Sequence, residues 1–352
     1  MARFTTGIAT AVWRHTCSLP ASLSQINIFF VSVALVGAAI SLEAGQASAQ
    51  EIPADFPSWA YVMNVVAPRP AVPDDGTLFS VPDSEARFTR DQTRNRFVPP
   101  DWHPGDHPAM PPVVANGRKP AVWACAFCHR PNGAGGPENA RIAGLPADYI
   151  VQQLKDMASG ARSTAMPKRL PYVLKQPIVK ALTEEEMIEA ANYFSQLKAP
   201  TTVVVKESSM VPKAENLGMF YAANEDGSQE AIGSRIVEVP QNLLRFEVLR
   251  DDRVQFTAYV PPGSVAQGLA LTRAPGGNPA LACTTCHGID FKGIGAIPSI
   301  AGRSPTYIVR QLWDLKVGAR NGENAQPMKP VVALLSGQDM LAISAYLATL
   351  KP

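Results

Sequence analysis

The sequence predicts a mainly α-helical protein: two tandem copies of one small domain, a small β-containing insertion between them, and an extended Pro-rich N-terminal arm. Three observations carry this. The pattern Cys-x-x-Cys-His occurs twice, at 125–129 and 283–287. The chain matches itself at an offset of 158 residues around both motifs. Helix-period apolar spacing follows each motif, whereas β-type alternation occupies the stretch between the copies. At 352 residues the chain accommodates two domains of ordinary size with extensions.

At the N-terminus, Arg3 and Arg14 precede an apolar run from Ile26 to Leu42 and then Ala47-Ser48-Ala49. Basic region, hydrophobic region and small-residue cleavage site are the order of a secretory signal over 1–49, with an uncleaved membrane anchor as the alternative. Both readings place the remainder outside the cytoplasm. The formal net charge is +2, and without residues 1–49 the balance is 30 basic against 29 acidic residues, which argues against a nucleic-acid partner.

Four of the five cysteines form the two motifs, Cys125-Ala126-Phe127-Cys128-His129 and Cys283-Thr284-Thr285-Cys286-His287; the fifth, Cys17, lies in the signal. In an exported protein such pairs suggest disulfides or a structural zinc site. The histidine directly behind each pair decides otherwise, because this is the attachment pattern of c-type haem. Two thiols three residues apart on a helical turn reach the two vinyl groups of one porphyrin, and the next histidine lies under the iron. The cofactor expectation is two covalently attached haem c groups, with His129 and His287 as proximal ligands.

Downstream of the motifs, Ile142–Leu154 lies over Ile300–Leu312 with 8 of 13 positions identical, and Gly160-Ala161-Arg162 lies over Gly318-Ala319-Arg320. Ile150, Leu154 and Met157, like Ile308, Leu312 and Leu315, follow i, i+4, i+7 spacing and mark the buried face of a helix. Ser304-Pro305 starts the second of these helices, and Gly160 and Gly318 are stops. Thr183-x-x-Glu186 and Ser336-x-x-Asp339 open a closing helix in each copy. Its apolar faces include Met187, Ala191, Phe194 and Leu197, then Met340, Ile343, Leu347 and Leu350. The Pro-rich loops between the two helices carry Met166 and Met328. These are the candidate distal ligands, since a flexible thioether on a loop reaches the open haem face; gap-filling core methionines are the competing explanation. Met157, Met187 and Met340 sit on expected core faces, where packing accounts for them.

The remaining histidines, His103 and His107, lie in a Pro-rich loop and read as solvated loop residues, with no metal assigned to them. Residues 50–115 are rich in Pro and Asp and read as an arm wrapping a domain. Between copies, Val203–Val205, Arg235–Val239, Leu243–Leu249 and Arg253–Val260 read as short strands of a hairpin or small sheet over 201–262, which leaves haem domains over 116–200 and 263–352.

These residues resemble the class I cytochromes c, and the tandem arrangement resembles the dihaem cytochrome c4 family. The resemblance rests on CxxCH, the Ala-Gly element with its Tyr-containing helix, a loop methionine, and a closing helix with Tyr193 or Tyr346. It covers about 121–199 and 264–351, under half of the chain. It implies thioether links at Cys125, Cys128, Cys283 and Cys286, proximal His129 and His287, distal Met166 and Met328, and two small helical domains close enough to exchange electrons. Departures are visible. Met166 lies 16 residues before Leu182 but Met328 only 7 before Leu335, which points to an insertion around Lys168–Lys175. Pro298, positioned to support the proximal histidine through its carbonyl, is matched by Ala140. The helix expected before the first motif is weak, whereas Ser264–Thr272 suits it in the second copy.

The function expected is periplasmic single-electron transfer between a dehydrogenase or quinol-oxidising complex and a downstream acceptor. The partners are redox proteins, with a membrane tether if the N-terminal segment is kept. The alternative is a dihaem redox enzyme, peroxidase-like or thiosulfate-dehydrogenase-like, with one open or differently ligated haem. The insertion reads as a surface that docks a partner.

Overall fold

Proline and polar residues prevent regular structure near the start of the described chain, and side-chain anchors hold it instead. In the computed structural model, residues 53–63 and 72–352 are described. The signal or anchor over 1–49 lies outside the described residues, as does 64–71 of the arm. Among the described residues no single helix is long and apolar enough to cross a membrane. Ala60 and Tyr61 are buried against the second copy: the Tyr61 hydroxyl donates to Asp314 Oδ1 at 2.7 Å, Arg310 Nη1 donates to the Ala60 carbonyl at 2.8 Å, and Phe56 lies edge-on to Trp313. Farther along, Trp102 is buried edge-on to Phe88 and donates from Nε1 to the Leu249 carbonyl at 2.7 Å.

The solvated reading of the loop histidines is corrected here. His103 is 4 % exposed, with Nδ1 2.8 Å from Asp252 Oδ1 and Nε2 3.3 Å from the Pro82 carbonyl. His107 has a nearly buried ring, with Nε2 3.2 Å from Asp101 Oδ1. Carboxylate partners drew both rings inward, which loop composition does not reveal. The hydrogen bond to Asp252 holds the His103 imidazolium above its ordinary 6.5, against opposing desolvation and Arg253. A pKa raised on folding contributes stability fully below about 6.5, and this is lost as pH rises through the folded value. His103→Gln is therefore expected to flatten the fall in melting temperature between about pH 6 and 8; an unchanged slope would show that the pair is not titrating there.

In the first copy the weak helix before the motif is one turn, Pro112–Ala115, burying Val113 and Val114. The motif forms α1 (Cys125–His129), followed by α2 (Ala147–Ser159), α3 (Leu170–Ala181) and α4 (Glu184–Ser195). Helix α2 ends at Gly160, whose φ of 88° is left-handed and suits glycine. Thr183 and Glu186 make the expected capping box of α4. Helix α3 was not expected. Proline near its start tolerates helix and Pro177 lies inside it, so the Pro-rich segment packs Ile178 and Val179 onto the core of this copy.

The stretch between copies forms β1 (Val203–Glu207), β2 (Met210–Pro212), β3 (Ala214–Asn216), β4 (Tyr221–Ala223), β5 (Gln229–Ala231), β6 (Val237–Pro240) and β7 (Phe256–Val260). Parallel β1–β7 and antiparallel β7–β6 make a three-stranded sheet, and β2–β5 and β3–β4 are hairpins. Leu243–Leu249 is not a strand. Residues 244–248 form a π-type turn closed by Leu249 N on the Leu244 carbonyl at 3.0 Å. Phe246 and Leu249, three apart, are buried on one face, so the apparent alternation was a helical spacing.

The second copy comprises α5 (Ser264–Arg273), α6 (Thr284–His287), α7 (Pro305–Lys316), α8 (Lys329–Ala333) and α9 (Gly337–Thr349). Ser304 caps α7 and Ser336/Asp339 form the capping box of α9, as expected. Helices α5 and α9 cross closely at Gly268, where an added Cβ would meet the Ala342 carbonyl oxygen at 1.9 Å. One apolar core runs through this copy, the three-stranded sheet and the arm, joining Trp313, Met340 and Leu347 with Phe246, Phe256 and Tyr61. The first copy keeps its own core around Val122, Ile150, Ala191 and Phe194.

The copies meet through equivalent residues. Arg162 and Arg320 pair in an antiparallel bridge, with Ser163 N donating to the Ala319 carbonyl and Asn321 N to the Ala161 carbonyl, both at 2.7 Å. Each guanidinium also donates to both Gln153 and Gln311, at 2.7 to 3.2 Å. A duplicated unit that meets its own copy through the same positions gives a pseudo-twofold contact.

Candidate haem centres

Helix α1 is one turn, so Cys125 and Cys128, at i and i+3, share a face and His129 follows at i+4. His129 Nδ1 lies 2.8 Å from the Ala140 carbonyl oxygen. A carbonyl only accepts, so Nδ1 carries the proton and Nε2 keeps its lone pair. Burial pushes the imidazole pKa down to about 3, which keeps it neutral and suited to a metal. The second copy repeats this, with His287 Nδ1 2.9 Å from the Pro298 carbonyl and its pKa lowered by burial. Because the backbone carbonyl is the acceptor, alanine at 140 serves as well as proline at 298. Burial raises the thiols of Cys125 and Cys283, to about 12 and about 11.

Cys125, Cys128 and His129 open onto a cavity of about 220 Å³ with walls including Leu145, Ile150, Leu154 and Phe194. Its floor reaches the second copy through Tyr307 and Arg310, beside Arg162 and Arg169. Arg169 is 6 % exposed; its Nε donates to the Val62 carbonyl at 3.2 Å, while Nη2 has no hydrogen-bond partner. A flat apolar group with two anionic arms fits this site: the thiols and imidazole hold the ring, apolar walls cover it, and the unpartnered guanidinium suits a carboxylate.

Met166 does not line this cavity; its side chain packs with Ala165 against the core of the second copy. Met157 on α2, Met219 in the β3–β4 turn and Lys175 on α3 do line it. Burial lowers the Lys175 ammonium to about 8. In the second copy His287 is buried, Cys283 and Met328 are half-buried, and Cys286 is exposed, with Met328 ending a 3-10 turn over Glu323–Met328. The cavity residues Arg169, Lys175, Met219 and Arg310 were not legible as site residues in the sequence, since they come from elements whose packing has no local signature. For Lys175 a signal existed in the register of the closing segments, taken up below.

The family model for cytochrome c matches residues 278–351. Cytochrome c4 of Pseudomonas aeruginosa is 40 % identical over 240 residues, spanning 67 % of this chain and 87 % of that protein. The chain belongs to the cytochrome c4 family. The "thiosulfate dehydrogenase electron acceptor" of Stutzerimonas stutzeri is 26 % identical over 235 residues, 66 % of this chain and 81 % of that one. The crystal structure of reduced cytochrome c4 from Pseudomonas stutzeri aligns at 21 % identity with a TM-score of 0.41, covering 64 % of this chain and 93 % of that one. As a cytochrome c, this c4 relative binds haem c covalently.

Proposed function

We propose that this cytochrome c4 relative holds two haem c groups, one at Cys125, Cys128 and His129 and one at Cys283, Cys286 and His287, and works as a periplasmic carrier of single electrons. The observation that carries the reading is the paired proximal geometry, with each imidazole bound through Nδ1 to the carbonyl eleven residues on. Haem c, when bound, supplies a one-electron iron couple of low reorganisation. The chain's own residues do the rest. The carbonyls of Ala140 and Pro298 orient the imidazoles, and the apolar walls of the first cavity exclude water. Met328 is the distal ligand proposed for the second haem. The shared Arg162/Arg320 contact keeps the two copies in register for transfer between them. We place the electron donor among dehydrogenases, because a relative is named as the electron acceptor of one.

A second reading, a redox enzyme of peroxidase or thiosulfate dehydrogenase type, is favoured by one observation: no methionine of the loop after α2 reaches the first cavity. One set of measurements separates them. The carrier is expected to show two haem c per chain by pyridine haemochrome, two reversible one-electron waves, and no turnover of peroxide or thiosulfate beyond free haem. Catalytic turnover of either substrate would replace the carrier with the enzyme.

A further inference from the structure

Counted forward from the motifs, the copies align at an offset of 158, pairing His129 with His287, Ala140 with Pro298 and Arg162 with Arg320. Counted back from the closing helices, the offset is 153, pairing Tyr193 with Tyr346, Glu186 with Asp339 and Thr183 with Ser336. The structure bears out this second register: both capping boxes form, and Val179 and Val332, paired by it, are 2 % and 1 % exposed. The register continues without a gap through Pro177 and Pro330 to Lys175, which pairs with Met328. The extra residues of the first copy therefore fall between Arg162 and Lys175, and Met166 is among them.

We propose that Lys175, through Nζ, is the distal iron ligand of the first haem, in the place that Met328 holds for the second. This rests on the reading that Cys125, Cys128 and His129 hold a haem. Lys175 lines the cavity onto which those three residues open, whereas Met166 does not. Its ammonium lies within electrostatic reach of Cys128 and of three cations, Arg162, Arg169 and Arg310. Of the acidic residues on the lining, Asp314 is held by the Tyr61 hydroxyl and Ala165 N, and Glu138 makes no ion pair with Lys175. Among the described residues Nζ has no hydrogen-bond or ion-pair partner. An ammonium with three donors and no acceptor is poorly placed there. A neutral amine giving its lone pair to iron removes both the charge and the unmet donors. Met157 takes the place of Leu315 at the 158 offset, a packing position on the same helix face. Met219 comes from outside the repeat and is the competitor that the test must exclude.

An amine opposite imidazole stabilises ferric iron relative to a thioether, so the first haem becomes the lower-potential site of the pair. The test uses the full-length holoprotein. Pyridine haemochrome first counts the haems. Near-infrared magnetic circular dichroism and EPR of the oxidised protein then read the ligands. The expected result is two low-spin haems with sulfur-to-iron intensity for one only, unchanged in Met166→Ala and Met219→Ala. Lys175→Met is expected to double the sulfur intensity and raise the lower of the two potentials. Wild-type sulfur intensity for two haems would overturn the assignment, as would a high-spin first haem or loss of the first haem's signature in Met219→Ala. A count of one haem per chain would instead remove the first haem itself, and that failure is visible before any ligand is read.

Discussion

Replacing Cys125 and Cys128 together with alanine is expected to halve the c-type haemochrome per chain and to unfold the first haem domain at much lower denaturant. The thioethers are the covalent hold on the group. Without it, Leu145, Ile150, Leu154, Val179 and Phe194 face a void instead of a ring. At about 24 cal/mol per Å³, a cavity of about 220 Å³ left unfilled corresponds to about 5 kcal/mol, a large part of the stability of a domain this size. The second copy keeps its own core and its own motif, so its haem should remain and its transition should move little. Denaturant titration followed in the Soret band and by far-UV circular dichroism reads both effects. A variant that keeps two c-type haems, or whose first transition does not move, would contradict this account of the cavity.

The second large effect is expected at Trp313, far from any thiol. Its side chain is 2 % exposed on α7, in the core that the second copy shares with the sheet, and Phe56 of the arm lies edge-on to it with ring centroids 5.5 Å apart. Trp313→Ala is expected to destabilise the second half of the chain by about 3–5 kcal/mol, since the void opens where three parts of the chain meet. The arm around Phe56 and Tyr61 should become sensitive to protease at the same time. Trp313→Phe should cost less than half as much and leave the arm protected. A loss under about 1 kcal/mol in the alanine variant would mean that the arm and the second copy are held by something other than this contact.

Between sequence and structure the divergences have specific causes. Leu243–Leu249 alternates well enough to pass for a strand, but Phe246 and Leu249 bury on one side of a π-type turn because the sheet beside it is already complete. His103 and His107 sit among prolines and glycine, yet Asp252 and Asp101, one of them about 150 residues away, pull both rings out of water. Met166 is near the expected ligand position along the chain. The residues added after Arg162 carry it onto the neighbouring copy's core, while the helix Leu170–Ala181 brings Lys175 to the cavity.

What the sequence by itself determined is the chemistry that depends on residues close together along the chain. The two CxxCH motifs need only one helical turn to bring thiols and imidazole to one face. The capping boxes at Thr183 and Ser336 need only three residues, and the repeat shows as identity at a constant offset. Tertiary structure alone decided what closes the far side of the first cavity, which cations floor it, and how arm, sheet and second copy share one core. Those outcomes follow from apolar burial and from pairing of buried charges between segments up to about 250 residues apart, such as Tyr61 with Asp314. Such pairings leave no local pattern, because either partner alone looks like an ordinary surface residue until the fold removes its water.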